Sequence, residues 1–518
     1  MKSLFKTVAL ITFFSFLTRI SGFIFRVILS RTVGAEGLGL YQVASSIFMV
    51  LLTIISSGIP LIISRTSAKF SAGGLHKKEG SFMTIVLCFT VALSLLISII
   101  VLSFNGLFAK LFTDQRCINI LLVLLPALVF SSVYCVLRGQ MWGRGNYFAL
   151  CITEFYEQVV RIFLALLMID ASFTAIQNAF NLGLSMSIAC AFSMLLVVLL
   201  YFYYGGSLGK IKKGYLKPFV KQSLPITLMR VVSSFIQPII AIIIPSRLMA
   251  IGYTSSQALS LYGVAVGMTM PLLFIPTMLI GSLSTALIPD ISKAIAQNDK
   301  DHIEKRISSS LFFALLVSAL FVPVFLSMGE QIGVFLYDDI LSGTLLQSAC
   351  WVLLPLGLTN ISSALLNSLG LENKSFINFI IASVFMFLSL WFLPSLFGIN
   401  ALMWSLGINY LITAVLNLWL LKRHTKVKLN LFKPLLKLVL ISIPSAALAS
   451  FVVSLCGYIF PLFISLAIGG SLCVASFVLL CWVFNIVDVK AFIVMAGNRL
   501  KEKIPKIKKK GLKTNWHV

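Results

Sequence analysis

The sequence predicts an all-α integral membrane protein with about 14 transmembrane helices. Of its 518 residues, 59% are hydrophobic and only 11% are charged, whereas a soluble domain carries roughly 25% charged residues. Apolar runs close to the roughly 20 residues that cross a bilayer recur from end to end, separated by short polar stretches. These runs do not alternate apolar with polar residues, which excludes a membrane β-barrel.

The predicted helices follow the apolar runs in chain order. They lie near residues 4–30, 40–64, 81–105, 118–138, 147–170, 179–204, 218–246, 259–286, 307–328, 345–368, 375–395, 398–421, 434–456 and 460–486. The nine cysteines are scattered through these runs without a CxxC or Cys/His cluster, so neither a disulfide framework nor a metal site is predicted.

The distribution of cations predicts that both termini are cytoplasmic. Lysines and arginines gather in the tails and in the even-numbered turns, while the opposite loops offer only Arg31, Lys110, Arg116 and Arg247. Cytoplasmic segments carry such an excess of Lys and Arg. The net charge of +25 therefore reflects membrane topology, and nucleic acid is not predicted as a partner. The basic tail, residues 490–518, is expected to lie against anionic lipid headgroups.

Two short motifs recur in the second half of the chain. "LYQVA" at Leu40 returns as "LYGVA" at Leu261, and "LLPALVFSS" at Leu124 is echoed by "LLPLGLTNISS" at Leu353. An even number of helices per repeat makes the two lobes parallel, and such halves rock against each other around a site at their interface. The predicted units are two six-helix lobes, two additional transmembrane helices and a basic cytoplasmic tail, at 1–210, 211–425, 426–489 and 490–518.

Arginines inside the predicted spans indicate an anion-binding site. Arg19 and Arg26 are seven residues apart, on one face of the first helix. Arg230 holds the matching place in the second lobe, since "RISGF" resembles "RVVSSF". If the lobes face each other, the three guanidinium groups converge on one cavity suited to a pyrophosphate. Alternatively, Arg26 extends to the membrane surface and Arg19 pairs with a carboxylate on another helix.

The fifth predicted helix carries three further charges, in "ITEFYEQVVRIF". Glu157 and Arg161 are four residues apart and are expected to pair on one helix face. Glu154 has no cationic partner within the helix, so it is the better candidate for binding a coupling proton or cation. No Walker A motif or catalytic motif set is present, so an enzyme is not predicted. A coupling ion, H⁺ or Na⁺, is the one cofactor left open.

Four motifs resemble the stage V sporulation protein B family of the multidrug/oligosaccharidyl-lipid/polysaccharide exporter superfamily. They are "GAEGLGLY", "GIPLIISRTSAK", "VLRGQMWGRGN" and "EQVVR", in this order. The resemblance implies two lobes around a V-shaped cavity in the bacterial cytoplasmic membrane. It also implies a flippase that moves a polyprenyl-pyrophosphate-linked saccharide outward, a lipid II-like peptidoglycan precursor for spore cortex. Related lipid II flippases bind pyrophosphate with arginines in their first two helices. Arg19 matches the first-helix position, but no charge lies between Tyr41 and Arg65.

Other functions remain open at this point. They are a flippase for capsule or teichoic-type lipid-linked oligosaccharides, a cation-coupled multidrug exporter, and a non-transporting scaffold for cell-wall synthesis proteins. A multidrug exporter would place carboxylates rather than arginines at the cavity centre. A membrane-embedded transferase would need an acidic cluster for a metal, and the acids of this chain are dispersed.

Overall fold

The structure, a computed structural model, describes residues 2–486 apart from 212, 298, 426, 428 and 429. This part of the chain is all-helical and contains no strand. The first ten α-helices are α1 Lys2–Ser56, α2 Ile59–Ala72, α3 His76–Ser103, α4 Asn105–Leu111, α5 Arg116–Gly143, α6 Tyr147–Met168, α7 Ala175–Tyr203, α8 Leu216–Ser234, α9 Ile236–Ala250 and α10 Ser255–Gly263. The others are α11 Met270–Leu273, α12 Ile275–Ala296, α13 Lys300–Tyr337, α14 Ile340–Ala349, α15 Leu353–Ser368, α16 Glu372–Phe392, α17 Pro394–Phe397, α18 Asn400–Thr425, α19 Phe432–Gly457 and α20 Leu462–Val483. The predicted basic tail lies outside the described residues.

Within the described ranges, eleven helical segments are long and apolar enough to cross a membrane, or twelve if one bent pair counts as a single span. The all-α membrane fold is thus confirmed, but the number of fourteen is not. One reason is the 63-residue segment Leu10–Ala72, which covers the first two predicted spans. Another is α6, where Glu154, Glu157 and Arg161 lower the apolar character of the helix.

The first two predicted spans are separated by a kink at one residue rather than by the predicted loop. Helix α1 continues through this region and is interrupted only at Gly34, whose backbone adopts φ 75° and ψ 172°. Glycine accepts a positive φ without the steric cost that a β-carbon brings. The kink therefore redirects α1 while keeping Arg19 and Arg26 on the segment before it and "GLYQVA" on the segment after it.

The second half contains the main irregularity among the described helices. A π-helical turn, Val264–Thr269, joins α10 to α11, and the axis bends by 47° between α11 and α12. Pro271 and Pro276 flank this bend. Proline lacks the N–H group that would donate the next helical hydrogen bond, so helices kink beside it. Helices α8 and α9, which also contain prolines, are separated at Phe235.

Helix packing can be described for the first and the second half of the chain in turn. In the first half, α1 packs against α5, α6 and α7, and α5 also contacts α2 and α3. In the second half, α13 packs against α12, α14 and α15, and the final helices α19 and α20 cover another face of α13. The halves meet mainly along α1, which contacts α8, α9, α10 and the π-helical turn. The predicted boundaries of the four units remain predictions.

Candidate functional site

Two cavities adjoin each other along α1 and α6. The first has a volume of about 770 Å³ and the second of about 490 Å³, both within the usual range of ligand-binding pockets. Thr18 lines the first cavity, and the next residue, Arg19, lines the second. On α6, Glu154 lines the first cavity, and Gln158 and Arg161 line the second. One pair of helices thus contributes to both.

The second cavity lies between the two halves and is cationic. Arg19, Arg26 and Arg161 line it from the first half, and Gly267 and Pro271 line it from the irregular segment of the second half. No carboxylate of the described residues lies within ion-pair distance of Arg19 or Arg26. The two arginines predicted to share a helix face therefore share a cavity, and their charges are free to bind an anion.

Arg161 adds a partly neutralised third cation. Its Nη2 lies 3.1 Å from Oε1 of Glu157, so the predicted pairing within α6 is present. The Nε of Arg161 is buried and has no hydrogen-bond partner in the described structure. A buried donor without an acceptor costs free energy, which a ligand oxygen in this cavity would recover.

Arg230 does not join this group. It lines the first cavity, and its Nη1 donates to the carbonyl oxygen of Ser57 at 3.2 Å. The predicted convergence of three arginines on one cavity is therefore not seen. Helix α8 lies beside the break between α1 and α2, at Ser57 and Gly58, rather than beside Arg19.

Glu154 has a cationic partner that the sequence did not indicate. The Nη2 of Arg138, on α5, lies 2.7 Å from Oε2 of Glu154, and both residues line the first cavity. The sequence predicts that this helix ends at Arg138, at the cytoplasmic side. In the structure, α5 continues to Gly143. The apolar Met141 and Trp142 that follow are the signal for this extra turn.

Hydroxyl groups form much of the remaining polar lining of the first cavity. Ser15, Thr18, Ser56, Ser233 and Ser234 are among them, and Trp142, with 48% of its surface exposed, lies at the same cavity. Hydroxyls both donate and accept hydrogen bonds, and an exposed indole offers an apolar face. This surface suits a ligand that carries many hydroxyl groups.

One end of the helix bundle is closed by contacts between the halves. Arg31, before the kink in α1, donates to the carbonyl oxygens of Phe335 and Leu336 at the end of α13. Arg31 is exposed, as expected, but it lies within α1 rather than in a loop. Gly39 and Gly263 lie where α1 crosses α10, and a β-carbon on either would meet the other helix's backbone at about 2 Å. Little space remains for a ligand to pass here.

An acidic cluster strengthens the same end. Asp114 accepts a hydrogen bond from Ser255 of the second half at 2.7 Å and pairs with Arg116, which also pairs with Glu36. Burial favours the protonated form of Asp114, but the hydrogen bonds from Arg116 and Ser255 outweigh it and hold the pKa of Asp114 below its usual range. The carboxylate thus stays charged at neutral pH and binds both halves together.

The other end of α5 holds a sealed ion pair. Arg144 lies 2.7 Å from the fully buried Glu79, and Gln140 and Ser67 also donate to this carboxylate. Arg144 further donates to the carbonyl oxygens of Tyr204 and Gly205. Two residues of the "VLRGQMWGRGN" motif thus tie α2, α3 and α5 to the turn after α7. Over the same described ranges, no group of three or more potential metal ligands occurs.

Comparison with known proteins identifies the family. The family model described as "Polysaccharide biosynthesis protein" matches residues 4–295. Stage V sporulation protein B of Bacillus subtilis (strain 168) is 30% identical over 337 residues, which are 62% of this chain and 64% of that protein. The match thus spans somewhat less than two thirds of that relative's length. It confirms the resemblance predicted from the four motifs.

Solved structures agree on the fold. The lipid II flippase MurJ, in an inward closed conformation, matches with a TM-score of 0.72 at 15% identity, over 92% of this chain and 98% of that one. An inward-facing multidrug resistance MATE family transporter matches with a TM-score of 0.67 at 15% identity, over 79% and 94%. The first of these proteins is named a flippase and the second a transporter, and both share the helical fold of this chain. The chain is a multi-pass membrane protein and belongs to the polysaccharide biosynthesis protein family.

Proposed function

We propose that this protein is a flippase that carries a polyprenyl-pyrophosphate-linked saccharide across the bacterial cytoplasmic membrane. The cargo we propose is a lipid II-like peptidoglycan precursor used for spore cortex. The observation that carries the proposal is the second cavity, where Arg19 and Arg26 face a space between the two halves without a carboxylate partner among the described residues. A guanidinium keeps its charge and binds phosphate oxygens in pairs.

The cost of inserting arginines into a membrane helix favours a functional role for Arg19 and Arg26. An arginine at the centre of a membrane helix costs about 2.5–3.5 kcal/mol on insertion scales. Intramembrane cations that face a cavity mark substrate pathways in many membrane proteins. A pyrophosphate between Arg19, Arg26 and the unpartnered Nε of Arg161 would satisfy all three groups at once.

Alternating access is the movement we propose. In the present conformation the Arg31 and Gly39 end is closed, while the first cavity lies beside the start of α1 and the turn between α5 and α6. With both termini cytoplasmic, as the cation distribution predicts, the open side would receive cargo from the inner leaflet. The π-helical turn lines the second cavity through Gly267, and the bend before α12 lines it through Phe274. Short π-helical segments inside α-helices are frequent at functional sites.

The names of the matched proteins support this assignment. One matched structure is a lipid II flippase, and the matched relative named for stage V of sporulation supports the proposed use in spore formation. The unpaired arginines count against a cation-coupled drug exporter, because a cationic drug would be repelled from the second cavity.

The test is transbilayer movement of a labelled undecaprenyl-pyrophosphate saccharide in proteoliposomes. We compare wild type, Arg19→Gln and the control Lys374→Gln, which removes a cation from the exposed start of α16. Flipping by wild type and the control, but not by Arg19→Gln, is the expected result. Equal flipping by all three would refute the role of Arg19. Absence of flipping in wild type under imposed H⁺ and Na⁺ gradients would overturn this cargo, and a gradient that accelerates flipping would identify the coupling ion.

A further inference from the structure

Two arginine–glutamate pairs of the first half differ sharply in exposure. In the pair between Arg144 and Glu79, the side chains are 13% and 0% exposed, and other donors surround the carboxylate. In the pair between Arg138 and Glu154, the side chains are 32% and 52% exposed, toward the first cavity. The first pair is sealed inside the protein, and the second is open to a ligand.

The open pair is weakly held. Among the described residues, the Glu154 carboxylate receives a hydrogen bond only from Arg138. Exposed ion pairs contribute little to stability, because solvent screens them and each side chain loses freedom when it is fixed. Arg138 makes one hydrogen bond to Glu154 and also lies over the ring of Tyr134, 5.7 Å from its centroid. A phosphate can offer a guanidinium two oxygens in parallel, a stronger arrangement than that single hydrogen bond. An incoming phosphate can therefore replace Glu154.

Arg230 is a second cation at the first cavity. Arg230 belongs to α8, and its Nη1 donates a hydrogen bond to the uncharged carbonyl oxygen of Ser57. Arg138 and Arg230 belong to opposite halves of the chain and line one cavity with Glu154. The cavity thus has one more cation than carboxylate, and a bound anion would draw the two halves together around itself.

The first cavity lies about two helical turns from the second cavity, on the side from which cargo would enter. Glu154 and Arg161 are seven residues apart on α6, which is about 10 Å along the helix axis. Thr18 and Arg19 mark the same transition on α1. An anion that leaves Arg138 and Arg230 therefore has to move only about two helical turns to reach Arg19, Arg26 and Arg161.

We propose that the first cavity is a second anion-binding site, in which the phosphate of the cargo displaces Glu154 and is bound by Arg138 and Arg230. This inference rests on the proposed function and adds a receiving site to it. Glu154 acts as an internal competitor that occupies Arg138 while no cargo is present. The hydroxyl-rich wall and Trp142 would then face the saccharide that the phosphate carries.

The inference predicts effects of opposite sign for the two partners of one ion pair. The probe is farnesyl pyrophosphate, titrated calorimetrically into the purified full-length protein in detergent. Glu154→Gln removes the competitor and should tighten binding by up to about fivefold, the factor that corresponds to an exposed ion pair. Arg138→Gln should weaken binding at least about tenfold, through loss of a charge-assisted contact. Arg138→Lys, which keeps the charge but not the paired donors, should fall between wild type and Arg138→Gln.

Glu36→Gln is the matched control, because it also removes a carboxylate from an arginine pair, that with Arg116, but lies away from both cavities. It should leave the affinity unchanged. A merely structural role for the pair would make Glu154→Gln and Arg138→Gln change affinity in the same direction, and this would overturn the inference.

Arg19→Gln separates the inference from the proposed function. If only Arg19→Gln loses affinity and both variants of the open pair bind like wild type, the second site is refuted and the flippase assignment stands. If neither wild type nor Glu154→Gln binds the probe, the second site is also refuted. In that case the flipping assay on Arg19→Gln decides the proposed function independently.

Discussion

Gly39 and Gly263 lie against each other's helix backbones where α1 crosses α10. A β-carbon at Gly39 would lie 2.1 Å from the carbonyl oxygen of Leu259, and one at Gly263 would lie 2.0 Å from the carbonyl oxygen of Ala35. Gly39 directly precedes "LYQVA" and Gly263 lies within "LYGVA", the two motifs that suggested an internal repeat. The repeated segments are therefore direct neighbours at the closed end of the protein.

Gly39→Ala should open this crossing. The added methyl group meets backbone atoms, which cannot rotate away as a flexible side chain can, so we expect a loss of about 1–3 kcal/mol in the stability of this conformation. Thermal unfolding in detergent measures the effect. Gly106→Ala, in α4, is the control, since nothing lies within 4 Å of its added β-carbon. Equal melting temperatures for both variants would show that the helices separate here at little cost.

Glu79→Ala should damage folding more than any change at the open pair. It would leave Arg144, 13% exposed, without its carboxylate, and breaking a buried ion pair costs about 3–5 kcal/mol. Glu79→Gln keeps an acceptor for Gln140 and Arg144 and should cost less. We would measure the yield of monodisperse protein and its melting temperature, with exposed Glu372→Gln as control. A wild-type melting temperature for Glu79→Ala would contradict the assignment of this pair as structural.

The contact between Asp114 and Ser255 should respond to pH only under strongly acidic conditions. A carboxyl group whose pKa is lowered by folding adds stability above its unfolded value, about 3.9 for Asp, and this stability is lost as the pH falls through the lower folded value. The melting temperature of Asp114→Asn should therefore lie below that of wild type by a constant amount between pH 8 and 5. The difference should shrink below about pH 4, where wild type becomes protonated too.

Asp338→Asn is the control for the pH series, because it removes an acid near the same end, at a left-handed position (φ 55°) that asparagine also adopts. A difference between wild type and Asp114→Asn that changes steadily from pH 8 to 5 would contradict a lowered pKa. It would indicate that another group controls the closed end.

The sequence predicted what depends on local pattern. Long apolar runs gave the helical membrane fold, the seven-residue spacing placed Arg19 and Arg26 at one cavity, and the four-residue spacing paired Glu157 with Arg161. The pair between Arg138 and Glu154 joins two helices, so neither helix alone indicates it. It depends on one extra turn of α5, and helix ends are the least certain feature of sequence patterns.

The position of Arg230 shows the other limit. Its match to the first helix predicts a position that corresponds to Arg19 in the second half, but its neighbours depend on how the two halves are arranged in this conformation. In an alternating-access protein that arrangement changes during the cycle. Sequence similarity between halves predicts which residues correspond, not which of them meet.

The contacts of Arg31 and Arg230 with the opposite half have a consequence for sequence divergence. Arg31 donates to the carbonyl oxygens of Phe335 and Leu336, and Arg230 donates to that of Ser57. Every amino acid supplies a carbonyl oxygen, so substitutions at these three positions leave the acceptors in place as long as the backbone keeps its path. Each half can accumulate mutations at these contacts without a compensating change in the other. Relatives of low sequence identity can therefore retain the same joints between their halves.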